Sequence, residues 1–324
     1  MIKHLLKKDG KFYKANLHTH STVSDGVFTP SELKKLYQEK GYSILAISDH
    51  NIIKSHQELT DENFVAITSG EFGVVLSDGL PLSYGNSKIF HLNFFAKDPS
   101  NDSSIFFGKD SQKEYSLEYI NNLIKTATND GFLISYNHPV WSQQNYTDYS
   151  NLKGLWAVEV YNEDCVLDGY YDTTVPLDDL LRNNQNVFPI STDDAHWLNA
   201  CFGGWVMVKS DKLTYKNVIN ALENGDFYAS SGPMIEEIYI EDNVVKVKTS
   251  NVNEIILSSD RRFSKRVSSN NSSINFAEFD LTKFLETSKL LKTEIGKNSY
   301  IRITAKDNQG KCAYSRAYFI DELI

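Results

Sequence analysis

The stretch NLHTHSTVSDG places His18 and His20 two residues apart, with Asp25 five residues after the second imidazole. On an extended chain alternate side chains share a face, so both imidazoles point the same way. Two ring nitrogens and a carboxylate oxygen are the beginning of a site for a divalent ion. The same residue types recur further along. Asp49 and His50 stand in AISDHN, Glu71 in TSGEFG, His91 in IFHLNFFA, His138 in SYNHPVW, and Asp193, Asp194 and His196 in STDDAHW. Taken singly, each histidine has an ordinary reading as a hydrogen-bonded residue, and each aspartate one as a turn residue or helix cap. Their joint placement decides between the readings.

That placement depends on the elements that carry them. Between residue 13 and about residue 225, the short apolar runs YKANL, SILAI, FVAITS, FLISY, WAVEVY and VFPIS alternate with helical patterns. Such alternation predicts an α/β fold with a parallel or barrel-like sheet. Thr29, Pro30 and Glu32 announce a first helix as N-cap, first-turn proline and capping-box partner, and Gly41 closes it. Further helices are predicted after Ser116, from Leu177 to about Arg182, and from Thr214 to Gly225. His18, His20, His50, Glu71, His138, Asp194 and His196 all fall just past the carboxyl end of a run. In α/β barrels the loops of that rim build the active site. His91 begins its run instead. The segment between Glu71 and His91 reads as a hairpin with turn signals at Asp78-Gly79 and Gly85-Asn86, and a returning strand brings His91 back to the rim.

After SSGPM, Ser230 to Met234, helical patterns give way to strands and turns, with one weak helix candidate around Leu281 to Leu291. Residues 1–233 are therefore expected to form a barrel domain and residues 234–324 a small antiparallel, sandwich-like β domain. No apolar run approaches the roughly 20 residues of a membrane span, so no membrane partner is expected. MIKHLLKKDG lacks the apolar core of a secretory signal, and Cys165, Cys201 and Cys312 form no CxxC pair. A cytoplasmic location with reduced cysteines follows as the expectation. A formal net charge of -9 speaks against a general nucleic-acid binder, which needs clustered Lys and Arg.

His18, His20, Asp25, His50, Glu71, His91, His138, Asp194 and His196 make a donor set of nitrogen and oxygen without a thiolate. Such a set suits catalytic Zn, Mn or Fe better than a structural zinc knot. It exceeds the needs of one ion, and three divalent ions bridged by Glu71 and a hydroxide fit the number. Their charge would outweigh the three carboxylates, giving an acidic chain a cationic pocket for an anionic small molecule. His4 and His56 show no such placement and are expected at the surface.

The phrases HTHSTVSDG, ISDHN, SGEF, FHLNFFA, NHPVW and STDDAH resemble, in order and spacing, the motifs of the PHP (polymerase and histidinol phosphatase) superfamily over roughly residues 12 to 205. The resemblance implies a distorted (β/α)7 TIM-like barrel with two or three divalent metal ions at its carboxyl rim. It implies that His18, His20, Glu71 and Asp194 hold one ion, that Glu71, His91 and His138 hold a second, and that Asp25, His50 and His196 hold a third. Some members carry His at the position of Asp25. The continuation VINALENGDFYASSGPMI is similar to the two-domain branch that includes metal-dependent phosphoesterases and the CehA/McbA-type metallohydrolases.

The expected activity is metal-dependent hydrolysis of a small phosphate mono- or diester by a metal-activated hydroxide. The alternatives are hydrolysis of an amide, carbamate or ester at the same centre, and a non-catalytic metal-bound scaffold. Rim loops poor in Arg and Lys keep the carbamate alternative open, since phosphate clamps commonly use them. Asp49 and Asp193 are candidates for orienting an imidazole or moving a proton to the leaving group, with cap or turn roles as the plain alternative. Trp141, Tyr161, Asn162 and Trp197 flank the rim, and none is assigned a substrate contact.

Overall fold

Each short apolar run becomes a strand because a neighbour on either side satisfies its backbone while its side chains are buried on both faces. The computed structural model describes residues 2–76, 88–102, 114–269 and 272–324. After a two-residue strand β1 (Lys3–His4), strands β2 (Lys11–Asn16), β3 (Tyr42–Ile47) and β4 (Val65–Val75) pair in parallel. Strands β6 (Phe132–Tyr136), β7 (Ala157–Asn162) and β8 (Phe188–Thr192) also pair in parallel. Between the two groups lies β5 (Ile89–Ala96), antiparallel to both β4 and β6. Its reversed direction puts its start, with His91, at the end of the sheet where the other strands finish. The expected turn signals at Asp78-Gly79 and Gly85-Asn86 lie outside the described residues.

Helix α1 (Pro30–Glu39) starts as its sequence announces. Thr29 accepts from the Glu32 amide while the Glu32 carboxylate accepts from the Thr29 amide, a reciprocal cap worth about 1 kcal/mol. Helices α2 (Leu117–Asn129), α3 (Tyr146–Tyr149), α4 (Glu163–Leu167) and α5 (Val175–Arg182) cover β5 to β8. Strand β9 (Trp205–Ser210) and helix α6 (Tyr215–Asn224) follow. Val218 and Leu222 of α6 share one core with Ile44, Ile67, Leu133 and Ile190 from four different strands.

A closed (β/α)7 barrel is met only in part. Strands β2 to β8 form a continuous series of ladders, but among the described residues no ladder joins β8 back to β2. The reason is that β9 occupies that edge of β2, pairing antiparallel from Lys11 to Ala15. Only the continuation of β2 past Asn16 is left for β8. There the ends meet in a bridge between Thr19 and Ala195, with His20 N donating to Ala195 O (3.0 Å) and Asp194 N to His18 O (2.8 Å). The fold is mixed α/β, with a seam pinned at its rim.

Strand β10 (Phe227–Ser230) pairs with β9 and carries the sheet into the second half of the chain. There β11 (Ile235–Glu241), β12 (Val244–Val252), β13 (Glu254–Ser259), β14 (Lys265–Ser268), β15 (Ile274–Asp280), helix α7 (Thr282–Ile295), β16 (Tyr300–Lys306), β17 (Cys312–Ser315), β18 (Tyr318–Phe319) and α8 (Ile320–Leu323) complete the chain. One sheet has the order β1-β11-β12-β15, while β14-β13-β16-β17 continues through β10 and β9 to β2. Their facing residues, among them Ile238, Val247, Ile255 and Ile303, share one core, which makes this part an antiparallel sandwich. Two strand ladders cross the expected boundary at 233/234, β10 with β17 and β1 with β11.

A close backbone approach sets the path of the segment that leaves β3 and carries His50. A Cβ on Gly70 would lie 2.0 Å from the Ile52 carbonyl oxygen, so only glycine lets this segment lie against β4. Gly70→Ala is expected to lower unfolding free energy by about 1–3 kcal/mol, measured by urea denaturation, because backbone and not a flexible side chain must give way.

Candidate metal centre

Glu71 sits in the middle of β4, fully buried, and six imidazoles are arranged around the rim it reaches. Its Oε1 lies 3.3 Å from His18 Nε2, 3.2 Å from His91 Nδ1 and 3.6 Å from His138 Nε2. Its Oε2 lies 3.0 Å from His50 Nδ1 and 3.6 Å from His20 Nε2. Asp194 Oδ1 closes the inner group, 3.0 Å from His18 Nε2 and 2.9 Å from His20 Nε2. His91 Nδ1 and His138 Nε2 are 3.2 Å apart, and His138 Nε2 is 3.5 Å from Asp194 Oδ2. Toward solvent, Asp25 lies 3.4 Å from His50 Nε2, 3.6 Å from His196 Nε2 and 3.7 Å from His20 Nδ1.

Three overlapping groups of donors result, each compact enough to hold an ion. They are His18, His20, Glu71 and Asp194; His50, Glu71 and His91; and His20, Asp25, His50 and His196. His138, expected beside Glu71 and His91, falls in none of these groups, although its Nε2 lies 3.2 Å from His91 Nδ1 and 3.6 Å from Glu71 Oε1; His50 stands in the middle group instead, and His20 joins the outer one. The inner donors are buried, whereas the Asp25 side chain is half exposed. His20 Nδ1 is buried with no hydrogen-bond partner among the described residues, as expected of a donor atom that a cation would satisfy. Nitrogen and oxygen donors without sulfur fit Zn, Mn or Fe, so the residues present suit the ions that the sequence implied.

The backbone is bent to present these side chains. His138 and Asp194 have φ of +24° and +53°, in a region that costs a non-glycine residue about 1–3 kcal/mol. Asp49 accepts from Ser21 N (2.8 Å), Ser21 Oγ (2.7 Å), Ser24 N (3.2 Å) and Ser24 Oγ (2.7 Å), which folds the loop carrying Asp25 back over the rim. Asp193 accepts from Tyr37 OH (2.7 Å), Phe202 N (2.8 Å) and Gly204 N (2.8 Å). Burial raises the Asp193 carboxyl to about 7 despite those donors. Both aspartates commit these bonds to the loops beneath the ligand positions.

Glu159 escaped the sequence reading. It is buried in β7 and accepts from His18 Nδ1 at 2.6 Å, from His138 N at 3.0 Å, from Asn162 Nδ2 at 3.1 Å and from Thr192 Oγ1 at 2.8 Å. A carboxylate behind a ligating imidazole fixes its tautomer and raises its basicity. The signal was an acidic residue inside the apolar run AVEVY, which a buried strand tolerates only when paired. Asn137 is a second unassigned neighbour, donating from Nδ2 to Glu71 Oε1 at 2.8 Å. His56 corrects an expectation: it is 2% exposed, not at the surface, with Nδ1 3.2 Å from Glu58, because the Gln57–Leu59 turn folds over it.

The charges are strongly coupled. Burial would push the Glu71 and Asp194 carboxyls up, but the surrounding imidazoles hold both well below the ordinary carboxylate range. Burial opposes charge on His18 too, yet Asp194, Glu71 and Glu159 hold it well above the usual imidazole value. Burial wins at His20 and His91, whose values fall, while the nearby carboxylates outweigh it at His50 and His138 and bring His196 to about 9.

Beside the centre is a narrow cleft of about 30 Å³ that opens to solvent. His138, Trp141, Tyr161, Asn162, Tyr171 and Asp172 are among its lining residues. Trp141 lies parallel to His91 and edge-on to His138, while Trp197, half exposed, is not part of this lining. The arrangement of donors fits a metal-dependent hydrolase. No helix among the described residues is long and apolar enough to cross a membrane.

No family model matches the chain. A 5'-3' exoribonuclease of Haemophilus influenzae is 37% identical over 70 residues, which is 22% of this chain and 23% of that protein's length. The chain is similar to the structure of a two-domain protein of Bacteroides vulgatus containing a predicted PHP-like metal-dependent phosphoesterase, with 14% identity, 98% of each chain covered and a TM-score of 0.46. It is also similar to an amidohydrolase of Chromobacterium violaceum with bound sulfate and no metal, with 15% identity, 66% of this chain and 96% of that chain covered, and a TM-score of 0.42.

Glu159→Gln is expected to weaken metal binding about 10- to 100-fold, measured by competition with a chromophoric chelator, while the fold is retained. Imidazoles must be neutral to ligate, and those of His18, His50, His138 and His196 hold protons above the usual imidazole value. Metal loading should therefore release protons and tighten as pH rises from about 6.5 to about 9. Titration calorimetry in buffers of different ionisation enthalpy reads that release directly.

Proposed function

We propose that this chain is a member of the PHP superfamily that hydrolyses a small phosphate mono- or diester with two or three divalent ions at the rim. The observation that carries this is the position of Glu71, whose two carboxylate oxygens each face a different set of imidazoles. A single-ion site has no use for that division. Divalent ions in such a site supply Lewis acidity toward a phosphoryl or carbonyl oxygen and a hydrolytic water acidic enough to act near neutral pH.

The chain's own residues do the rest. His18, His20, Glu71 and Asp194 are the inner ligand set, His91 and His138 extend it around Glu71 Oε1, and Asp25, His50 and His196 form the outer, more accessible set. Glu159 holds the His18 ring, and Asn137 holds Glu71 Oε1 so that the carboxylate cannot rotate. Asp49 and Asp193 are assigned to orienting the loops that bear Asp25 and Asp194, not to proton transfer. The cleft beside His138 accommodates the leaving group. The ring from β2 to β8 is taken as a distorted (β/α)7 barrel, with residues 1–233 its domain and 234–324 the sandwich. Three buried, unpaired cysteines suit a reducing cytoplasmic location.

A second reading has an observation behind it. Among the residues lining the cleft there is no Lys or Arg, the cations that phosphate clamps commonly add. Hydrolysis of a carbamate, amide or other ester by the same centre is therefore the alternative. A net charge of -9 disfavours nucleic acid, yet the stretch shared with an exoribonuclease gives an oligoribonucleotide a place in the test.

Purified protein loaded separately with Mn, Fe and Zn should turn over phosphomonoesters or phosphodiesters in a screen that includes carbamates and a 5'-phosphorylated oligoribonucleotide. His18→Ala should lower kcat/KM by at least about 1000-fold, and Asp25→Ala by about 10- to 100-fold, since only the second leaves the inner set intact. Turnover of carbamates alone would replace the phosphoesterase reading with its alternative.

A further inference from the structure

Three contacts from the C-terminal sandwich land on the wall of the cleft. Lys311, in the turn between β16 and β17, donates to Tyr161 OH at 2.6 Å and lies over the Tyr161 ring at 4.9 Å. Tyr161 in turn donates to Glu163, whose carboxylate is 3.7 Å from Lys311 Nζ. Tyr314 on β17 donates to Asp172 at 2.5 Å. Arg302 on β16 makes a two-pronged bond to Asp178 at 2.7 and 2.8 Å and reaches Thr174 Oγ1 at 2.8 Å. Tyr161 and Asp172 both line the cleft, and Thr174 adjoins its last lining residue, Thr173.

The SSGPM stretch, which the hydrolytic centre does not use, has its place here. A Cβ on Gly232 would stand 2.7 Å from Lys311 Cβ, so glycine is needed for the lysine stem to pass. The turn itself is tied by Asp307 Oδ1, which accepts from Gln309 N and Lys311 N, both at 2.9 Å. Lys311 is thus held from behind and delivered to one place on the opposite unit. Tyr171, beside the anchored Asp172 in the lining, is 80% exposed and has little else to fix its position.

We propose that Lys311 and Tyr314 are positioning residues through which the C-terminal sandwich sets the shape of the substrate cleft, and with it the choice of leaving group. The proposal rests on the hydrolase reading of the metal centre. A substrate with a leaving group large enough to enter the cleft feels these residues through Tyr161 and Asp172. A substrate too small to leave the donor groups does not. Both residues act on binding and not on the reacting atoms, so their loss shows in KM and not in kcat.

The test compares wild type, Lys311→Met, Lys311→Arg and Tyr314→Phe as full-length, manganese-loaded protein. Calorimetry measures binding of phenylphosphonate and methylphosphonate, and kinetics measures phenyl phosphate and methyl phosphate. Wild type should prefer the phenyl compounds. Lys311→Met and Tyr314→Phe should each weaken phenylphosphonate binding and raise KM for phenyl phosphate about five- to tenfold, the scale of one ordinary lost hydrogen bond. Their kcat, metal content and methyl-compound values should stay within about twofold, and Lys311→Arg should restore most of the loss. If neither ester is hydrolysed while the phosphonate preference and its loss are observed, the phosphoesterase reading fails and the positioning role stands. Equal binding of both phosphonates by wild type, no binding of either, equal losses on both compounds, or loss of metal in the variants would overturn the proposal.

Discussion

The charge of one buried carboxylate organises the rim. An ionised Glu71 without partners would cost several kcal/mol to bury and would protonate instead. Here the cost is offset by imidazoles from β5 and from the ends of β2, β3 and β6, which hold the carboxyl well below its ordinary range. The relation is mutual. Glu71, Asp194 and Glu159 in turn raise the His18 imidazole against the burial that opposes its charge.

That electrostatic centre dictates how the chain must end its strands. Positive φ at His138 and Asp194 turns both residues inward at the moment their strands stop. Such strain survives only where neighbours over-determine it. Asp194 is fixed by its backbone bond to His18 O, its carboxylate bonds to His20 and Asn162, and the Thr19 bridge beside it. The pinning contact of the open seam and the ligand presentation are therefore one structure: β2 and β8 meet only where they carry donors. A fuller ladder between them would straighten Asp194 into the sheet and turn its carboxylate away.

Much of this was legible in the residues, and the rest for definite reasons was not. Strand ends show in sequence as an apolar run followed by a polar residue, which located His18, His50, His138 and Asp194. His91 was readable only by supposing a returning strand, and the antiparallel register with Gly73 opposite His91 is that return. Glu159 was hidden because its strand context matched the pattern better than its charge did. The pairing of β9 with the outer edge of β2 was also hidden, since a seven-strand ring and an open seam have the same hydrophobic pattern. His56 and Lys311 show the limit most clearly. Neither lies near a motif, and burial in one case and delivery across the chain in the other come from three-dimensional placement alone.

The two halves of the molecule divide the electrostatic work. On the proposed reading, nitrogen and oxygen donors make the rim a place for cations, and bound cations would make it a place for an anion, although the chain as a whole is acidic. A centre of that kind attracts any small phosphate or carboxylate with little discrimination, because charge attraction reads sign and not shape. Discrimination has to come from the part of the substrate beyond the reacting group, and therefore from the cleft. One wall of that cleft is built on β7 and the loop after α4, and the sandwich reaches it through Lys311 and Tyr314, which are already hydrogen-bonded to it. A wall held before substrate arrives does not have to be ordered by binding. A continuous sheet from β13 to β2 joins the two parts. On that reading the second unit supports the surface that reads shape, while the ends of β2 to β8 carry the groups that read charge.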